Sequence, residues 1–492
     1  MSLQILTSAS YDAFSKEIQA EILQQLQNDS KVVQSMIIGD LIELNERLRN
    51  IRNGLFKRSE QEPASSYEWT DPKEADGVPI FAREALSETD PNNKLHTPFD
   101  RAIMNNKSSY LAGKPMEFTV KIDNESEKST QEQILDQIAK ENNLSMLNTS
   151  LVEAATRSGA GYALLYKPIN SLDCKIRRVN EWECIVVYDE STDQPVYAMR
   201  YFPEVELETA STGELLQTTQ WLVEWYDGVN VTVYKGTGDT FSIYKEAEPH
   251  LLGTDQNPFV PLVEFKNNAD RVGDVSRVIP LMDAYDTADS DLSSDISKFA
   301  NAFIHITGAG FNFDDDMIDL MKRTGIIPTD DNGRVEYVTR QIDINGIEQF
   351  KDGLERRIYK YASSYDPDSL GSDGAKTAYE IAQKLKPLED ASKNTELQFK
   401  KAWYYILKGI NNFNERANKP TLDIKKIDIN FQRNVPRNIM QDIVDFRTAG
   451  GVLSQENLIK LSPFEVDVAA NTEQLNNEMQ MRTMSLTEVE EM

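Results

Sequence analysis

The sequence predicts a multidomain α+β protein, and three patterns indicate this class. Apolar residues at heptad spacing run along one predicted helix from 278 to 303. Runs rich in β-branched and aromatic residues, bounded by turn residues, fill the stretch 159–268. A second, very long helical pattern extends from Lys376 to about Arg416. A chain of 492 residues, 40% of them hydrophobic, is large enough for several domains.

The composition is strongly acidic, with 80 Asp and Glu residues against 52 Lys and Arg residues. Ordinary nucleic-acid binding depends on basic surface that displaces counterions. A net charge of −28 therefore leaves two interpretations: the chain has no role with nucleic acid, or it guides DNA past an acidic wall with a few placed cations. Two cysteines and three scattered histidines predict no metal site and no cofactor. No apolar run is long enough to predict a transmembrane helix.

The N-terminal part is predicted to be helical. Residues 1–60 carry apolar positions at helical spacing. After a polar loop, Thr97 is a suitable N-cap, Pro98 takes the first helical position and Asp100 completes a capping box. Residues 127–157 predict a further amphipathic helix or a pair of helices.

The period of the apolar residues then changes from that of helices to that of strands. Six runs with this pattern predict a mainly antiparallel β-domain that spans about 159–268. These runs are 161–167, 183–189, 195–202, 220–227, 229–235 and 241–245.

The helix that follows is predicted to continue to about Ile306 and to carry a narrow apolar seam. The seam consists of Val278, Met282, Tyr285, Asp289, Leu292, Ile296, Phe299 and Phe303. Polar residues on the other sides of the helix are predicted to be solvated, namely Asp283, Asp286, Ser290, Asp291, Ser293, Ser294 and Ser297. Since such a thin seam cannot anchor a globular core alone, it must pack on helices of this chain or of neighbouring copies. This favours an assembly protein, and the alternative is a long core helix of a large α+β protein.

The rest of the chain alternates helices with short irregular segments. Residues 307–345 predict a small α/β insert with a turn at Asp330, Asp331, Asn332 and Gly333. A helix spanning 346–364 follows, and then a loop of Pro, Gly, Asp and Ser residues. Pro387 is expected to kink the long helix after that loop. Residues 427–436 predict a strand, and the remainder is helical and polar.

No motif predicts catalysis. The segment GSDGAKT (371–377) superficially matches a phosphate-binding loop, but it follows a helix and has Ala375 where that motif requires glycine. Cations cluster instead around the 366–375 loop: Arg356, Arg357 and Lys360 before it, and Lys376, Lys384 and Lys386 after its last glycine. Two interpretations stay open, a placed basic patch or solvated helix faces with partners such as Asp352 and Glu380.

Four segments together identify a family by their order and spacing. They are YLAGKPMEF (110–118), VIPLMDAYDTADSDLSSDISKFANAFIHITG (278–308), AYEIAQKLKPLEDASKNTELQFKKAW (378–403) and INFQRNVPRN (429–438). With them the chain resembles the portal proteins of long-tailed double-stranded DNA phages, most closely the type found in phages of Gram-positive bacteria. The resemblance implies a ring, usually of twelve copies, at one capsid vertex, with no enzymatic activity and no cofactor.

The resemblance also implies a division of the chain into the parts of a portal subunit. The wing is 1–272, the first stem helix 273–306, the clip 307–345, the second stem helix 346–364, the tunnel loop 365–376, the kinked tunnel helix with a wing strand 377–439, and the crown 440–492. DNA would pass through the axial channel during packaging and ejection.

Roles for individual residues follow from that division as expectations. Subunit contacts are expected at Val278, Met282, Tyr285, Leu292, Ile296, Phe299 and Phe303. The DNA-facing residues are expected to be Arg356, Arg357, Lys360, Lys376, Lys384 and Lys386. The tunnel loop comprises Asp366, Pro367, Asp368, Ser369, Leu370, Gly371, Ser372, Asp373, Gly374 and Ala375, and the turn 330–333 would dock other proteins.

The expected partners are further copies of the chain, double-stranded DNA without sequence specificity, the terminase large subunit, a head-completion adaptor, and the major capsid and scaffolding proteins. The expected location is the virion, after assembly in the host cytoplasm, with no membrane contact. Two alternatives of other classes stay open, an acidic metal-dependent hydrolase or nuclease and a monomeric helical scaffold or adaptor. A native mass near that of one 55.9 kDa chain would favour the scaffold.

Overall fold

The structure is a computed structural model of the whole chain. It describes residues 93–169, 171, 173–189, 192–209, 215–237, 240–299, 303–307, 334–338, 344–366, 378–434 and 448. For 205–209, 215–219, 237, 240, 298–299, 303–307, 334–338 and 378–380 it describes the backbone only. The chain divides into two compact units, Met1–Arg433 and Asn434–Met492, and the elements below belong to the first.

The described part begins with three helices and one short strand. They are α1 (Phe99–Ala112), β1 (Glu117–Val120), α2 (Glu125–Glu141) and α3 (Leu144–Ser158). Of the two alternatives predicted over 127–157, one helix or a pair, the structure has the pair. The predicted capping box at Thr97 is wrong, because Pro98 is the N-cap and no side chain caps the helix. The carboxylate of Asp100 instead accepts a hydrogen bond from the neighbouring main-chain N–H of Arg101.

The predicted antiparallel β-domain is present as two separate sheets. Its strands are β2 (Ala160–Tyr166), β3 (Lys175–Val179), β4 (Cys184–Asp189), β5 (Gln194–Thr209), β6 (Leu215–Tyr226), β7 (Asn230–Thr237), β8 (Thr240–Pro249) and β9 (Leu262–Lys266). One sheet has the order β3-β2-β9 and the other β4-β5-β6-β7-β8, and all their pairs are antiparallel. The strand β3 was missed by the sequence analysis because its charged residues obscure the apolar alternation.

The seam helix, α4 (Ile279–Phe299), ends earlier than predicted. Residues 303–307 form a strand, β10 (Phe303–Thr307), which pairs antiparallel with β11 (Arg334–Val338). A spacing of four residues suits one face of a strand as well as one face of a helix, so Phe303 continued the heptad by coincidence. The β-branched run around it favours the strand.

Two further helices complete this unit. The helix α5 (Ile344–Tyr361) corresponds to the predicted second stem helix, and α6 (Ala378–Arg416) is the predicted long helix. The helix α6 continues through Pro387. The last strand, β12 (Ile427–Asn430), pairs with β1, so that the end of this unit returns to its N-terminal part.

The main core lies where α6 crosses the β3-β2-β9 sheet and α3. Phe265 of β9 packs edge-on against Phe399 and Trp403 of α6, and all three side chains are buried. Gly409 allows the closest approach, because a Cβ there would lie 2.3 Å from the Phe259 ring. This packing holds the second half of α6 to the β-domain. The α+β class predicted from the sequence is confirmed.

Candidate functional site

The helices α4 and α5 form an antiparallel pair. Near the start of α4, Met282 lies in one apolar cluster with Ile358 near the end of α5. Further along, the Lys351 ammonium lies 2.6 Å from the Asp289 carboxylate and 5.2 Å from the centre of the Tyr285 ring. Burial opposes the charge on Lys351, but the hydrogen bond to Asp289 and the electrostatic attraction of Tyr285, Asp289 and Glu348 together outweigh it and raise the pKa of the lysine. Asp289, the polar position of the seam, thus has a partner within the chain.

The first half of the seam, which we call the covered seam, consists of Val278, Met282 and Tyr285. Val278 and Met282 have no exposed surface, and the cluster around them includes Ile103 of α1. The Tyr285 ring packs edge-on against Phe99 at 4.9 Å between ring centres. The expectation that Val278 and Met282 contact a neighbouring subunit is wrong, because α1 of the same chain already covers them.

The second half, which we call the open seam, consists of Leu292 and Ile296. Leu292 is half-buried and Ile296 is 55% exposed. Asp289 of α4 and Lys351 of α5 lie side by side. Because the two helices are antiparallel, Ile296, seven residues after Asp289, is level with Ile344, seven residues before Lys351. Ile344 is 52% exposed. Phe350, one turn before the buried Leu354 on the apolar side of α5, is 53% exposed. Apolar surface on both helices is therefore uncovered at this end of the pair.

The side of α4 that was predicted to be solvated is in large part covered. Asp286, Ser290 and Ser294 are buried. The extended segment 93–97, which we call the strap, lies against them and donates main-chain hydrogen bonds to their side chains. This contact is not predictable from the sequence, because a polar stripe on a helix indicates solvent far more often than a docked segment.

The predicted DNA-facing cations are exposed wherever the structure describes them. Arg356, Arg357 and Lys360 lie on α5, and Lys384 and Lys386 lie on α6. The alternative of paired helix faces holds in part. Lys386 forms an ion pair with Asp390 one turn away, and Arg356 donates to the main-chain carbonyl of Asp352 at 3.0 Å. The Lys360 ammonium lies 5.9 Å from the centre of the Tyr361 ring.

Several predicted site residues lie outside the described residues. Asp366, at the start of the tunnel loop, is described and half-buried, and the rest of the loop and Lys376 are not. The turn 330–333 is also outside, as are the side chains of Phe299 and Phe303. Their roles stay predictions.

A buried polar cluster joins the start of α4 to the rest of the unit. The Lys107 ammonium of α1 donates to the Asp274 carboxylate at 2.6 Å and to the side-chain oxygen of Asn267 at 2.7 Å. The Thr395 hydroxyl of α6 contacts the same Asn267. Lys107 was missed by the sequence analysis. The sequence does carry a sign of its burial, because Lys107 is four residues from both Ile103 and Leu111 and so lies on the apolar side of α1.

A second buried cluster supports the same region from the β-domain. The Glu181 carboxylate has no exposed surface and accepts from Arg157 at 2.5 Å and from Arg178 at 3.1 Å. Burial alone would raise the pKa of Glu181, but the two guanidinium groups outweigh it and lower that pKa to about 2. The main-chain carbonyl next to Arg157, that of Thr156, accepts from the N–H of Asp274. The base of α4 is thus held by both clusters.

The described residues contain neither a metal-binding cluster nor a membrane-spanning helix. In the part of the chain that the structure describes, no three His, Cys, Asp or Glu side chains lie close enough together to hold a metal ion. Among the helices described above, none combines the length and the apolar character that crossing a membrane requires.

The comparisons with known proteins agree on one family. A family model described as phage portal protein, SPP1 Gp6-like, matches residues 78–484. The portal protein of Bacillus phage SPP1 is 21% identical over 413 residues, which cover 81% of this chain and 78% of that protein. The portal protein of Clostridium phage phiCD119 is 22% identical over 409 residues, which cover 80% and 86%.

Among solved structures, a chain of a virion of a native gene transfer agent particle is similar with a TM-score of 0.41 at 13% identity, over 74% of this chain and 88% of that one. None of these relatives supports a metal-dependent hydrolase or nuclease.

Proposed function

The chain belongs to the SPP1 Gp6-like family of phage portal proteins, and from this membership we propose that about twelve copies of it form a closed ring at one vertex of the capsid. Viral DNA enters through the axial channel of that ring during packaging and leaves through it during ejection. The chain is thus a structural component of the virion, assembled in the host cytoplasm. It has no enzymatic activity of its own, since ATP hydrolysis belongs to the terminase motor.

The open seam is the single observation that carries the ring. Ile296 and Ile344 are each more than half exposed and lie at the same end of one antiparallel helix pair, and Phe350, also more than half exposed, lies beside the Asp289–Lys351 pair. A ring repeats one interface in which each copy meets the next through two different surfaces. Apolar side chains on a helix pair that α1 leaves uncovered are suited to such an interface, because a second copy would remove them from water.

The proposed parts of the subunit follow the observed elements. The stem comprises α4 and α5, and the clip begins at β10 instead of after it. The wing comprises the N-terminal helices, the β-domain and the greater part of α6, and it faces the major capsid and scaffolding proteins. The crown is 440–492. The terminase large subunit and later the head-completion adaptor dock on the clip, with the turn 330–333 as the contact.

The cations around the tunnel loop are the proposed DNA-facing groups. Arg356, Arg357 and Lys360 are exposed near the end of α5, and Lys384 and Lys386 near the start of α6. Against a net charge of −28, a few such cations guide phosphates while the surrounding carboxylates limit adhesion. The contacts are to the DNA backbone and carry no sequence specificity.

The test of the ring is a pair of charge substitutions with a matched control. Ile296→Asp or Phe350→Asp places a carboxylate in the proposed interface, where it would be buried without a partner. Gln349→Asp adds the same charge beside Phe350 on an exposed position of the same helix. We expect light scattering and negative-stain images to show rings for the unsubstituted protein and for Gln349→Asp, and single chains for the other two. Single chains in every sample, over a wide range of salt and protein concentration, would support the monomeric scaffold instead.

A further inference from the structure

The strap, residues 93–97, runs along α4 in the opposite chain direction. The main-chain N–H of Asn93 donates to the Ser294 hydroxyl at 3.0 Å, and that of Leu95 donates to the Ser290 hydroxyl at 2.8 Å. The N–H of Thr97 donates to the Asp286 carboxylate at 2.9 Å. Donors two residues apart on the strap thus meet acceptors four residues apart on the helix.

This regularity has a geometric cause. Two residues of extended chain advance about 6.6 Å, and four residues of an α-helix advance about 6 Å. The two repeats nearly match, so three short side chains on one side of a helix can receive alternate N–H groups of an extended segment. The pattern Asp286, Ser290 and Ser294 is therefore a ladder of acceptors for main chain, much as the edge of a sheet would be.

Side chains reinforce the ladder at both ends. The Asn93 amide donates to the Ser293 hydroxyl at 2.9 Å and to the Ser297 hydroxyl at 3.0 Å. At the other end, His96 Nδ1 lies 2.8 Å from the second oxygen of Asp286, whose side chain has no exposed surface. The strap is held by polar contacts along its whole length.

We propose that the strap is a positioning element for assembly. By its hydrogen bonds to the acceptor ladder it fixes the rotation of α4 about the helix axis, so that the open seam faces a neighbouring copy. This inference rests on the ring of the proposed function. The ladder lies about 120° around the helix axis from the seam, since each residue turns the helix by about 100°. On the open half, where α1 no longer covers the seam, the strap and α5 both hold α4 through hydrogen bonds and an ion pair.

The first measurement is hydrogen exchange of the strap itself. Ser290→Ala combined with Ser294→Ala removes two acceptors and favours the helix slightly, so a loss cannot be assigned to a weakened α4. Amide exchange at Asn93 and Leu95 is expected to become about tenfold faster. Thr287→Ala is the matched control, because that hydroxyl donates to the carbonyl of Asp283 within α4. Unchanged exchange in the double variant would contradict the docked strap, whether or not rings form.

The second measurement asks whether strap position controls assembly. The Ser290→Ala, Ser294→Ala variant is expected to give severalfold fewer rings from folded subunits, and Thr287→Ala the normal yield. Adding Asn93→Cys and Ser297→Cys, at two positions whose parent amide and hydroxyl groups are hydrogen-bonded, places two thiols at this contact so that an oxidant can tie the strap back. The native Cys174 and Cys184 are buried, and burial raises the pKa of Cys174 to about 12, so neither competes.

Rescue of ring formation by oxidation, and its reversal by a reductant, would establish the positioning role. A normal ring yield with a released strap would overturn it, and so would a tied strap that fails to rescue. Disulfide-linked dimers in place of intrachain links would also overturn it, since the strap would then belong to another copy. Failure of the unsubstituted chain to form rings would count against the proposed function, while the exchange measurement still tests the docking.

Discussion

The covered and open halves of the seam on α4 belong to one heptad repeat and have opposite environments. Val278 and Met282 have no exposed surface, whereas Ile296 is 55% exposed. The difference arises outside the repeat: among the described elements, α1 lies against the first half, whereas α5 and the strap lie beside the second half. One apolar pattern can therefore serve a core at one end and an interface at the other.

The largest effect is expected when the same substitution is made in both halves. In the monomeric Ile296→Asp background, adding Met282→Asp should lower the free energy of unfolding by about 4 kcal/mol, because a carboxylate replaces a fully buried side chain. Adding Gln349→Asp to the Ile296→Asp variant should change the free energy of unfolding by less than about 0.5 kcal/mol. Urea unfolding followed by tryptophan fluorescence measures both. Equal stability of the two double variants would mean that the covered seam is not a core.

A smaller effect is expected from Lys107, which anchors α1 over the covered seam. Lys107→Met leaves the buried Asp274 without its cation, at a cost of about 3 kcal/mol in the same background. Adding Asp274→Asn should recover part of this loss, because the unpaired charge is removed. Hydrogen exchange should then become faster in the covered half of α4 and stay unchanged around Ile296. Faster exchange throughout α4 would show that the two halves are not independent.

The smallest effect is expected at the border between the halves. Lys351 and Asp289 are paired at 2.6 Å, with side chains 13% and 26% exposed. Because partly exposed ion pairs contribute little, Lys351→Met should cost about 1 kcal/mol and leave ring assembly intact. Lys351→Arg keeps a cation and serves as the control. Loss of rings in Lys351→Met alone would move the proposed interface back to this border.

Elements whose structure depends mainly on their own local sequence pattern could be predicted from the sequence. The β-domain, the helical character of 127–157 and the approximate lengths of α5 and α6 follow from apolar periodicity and turn residues, and the structure has all of them. Errors arose where two structures share one pattern. Phe303 keeps heptad spacing and lies in a strand, and Thr97 has a capping residue's chemistry while its N–H is taken by Asp286.

By itself, the sequence determined the fold class, the family and the position of the seam, because periodicity and the order of elements are local properties of the chain. Only the tertiary structure decided which half of the seam is exposed, because that depends on where α1, some 180 residues earlier in the chain, packs. It also decided that Asp286, Ser290 and Ser294 are buried under the strap. Side-chain type specifies what a residue can bond, and the fold specifies what is near enough to bond with it.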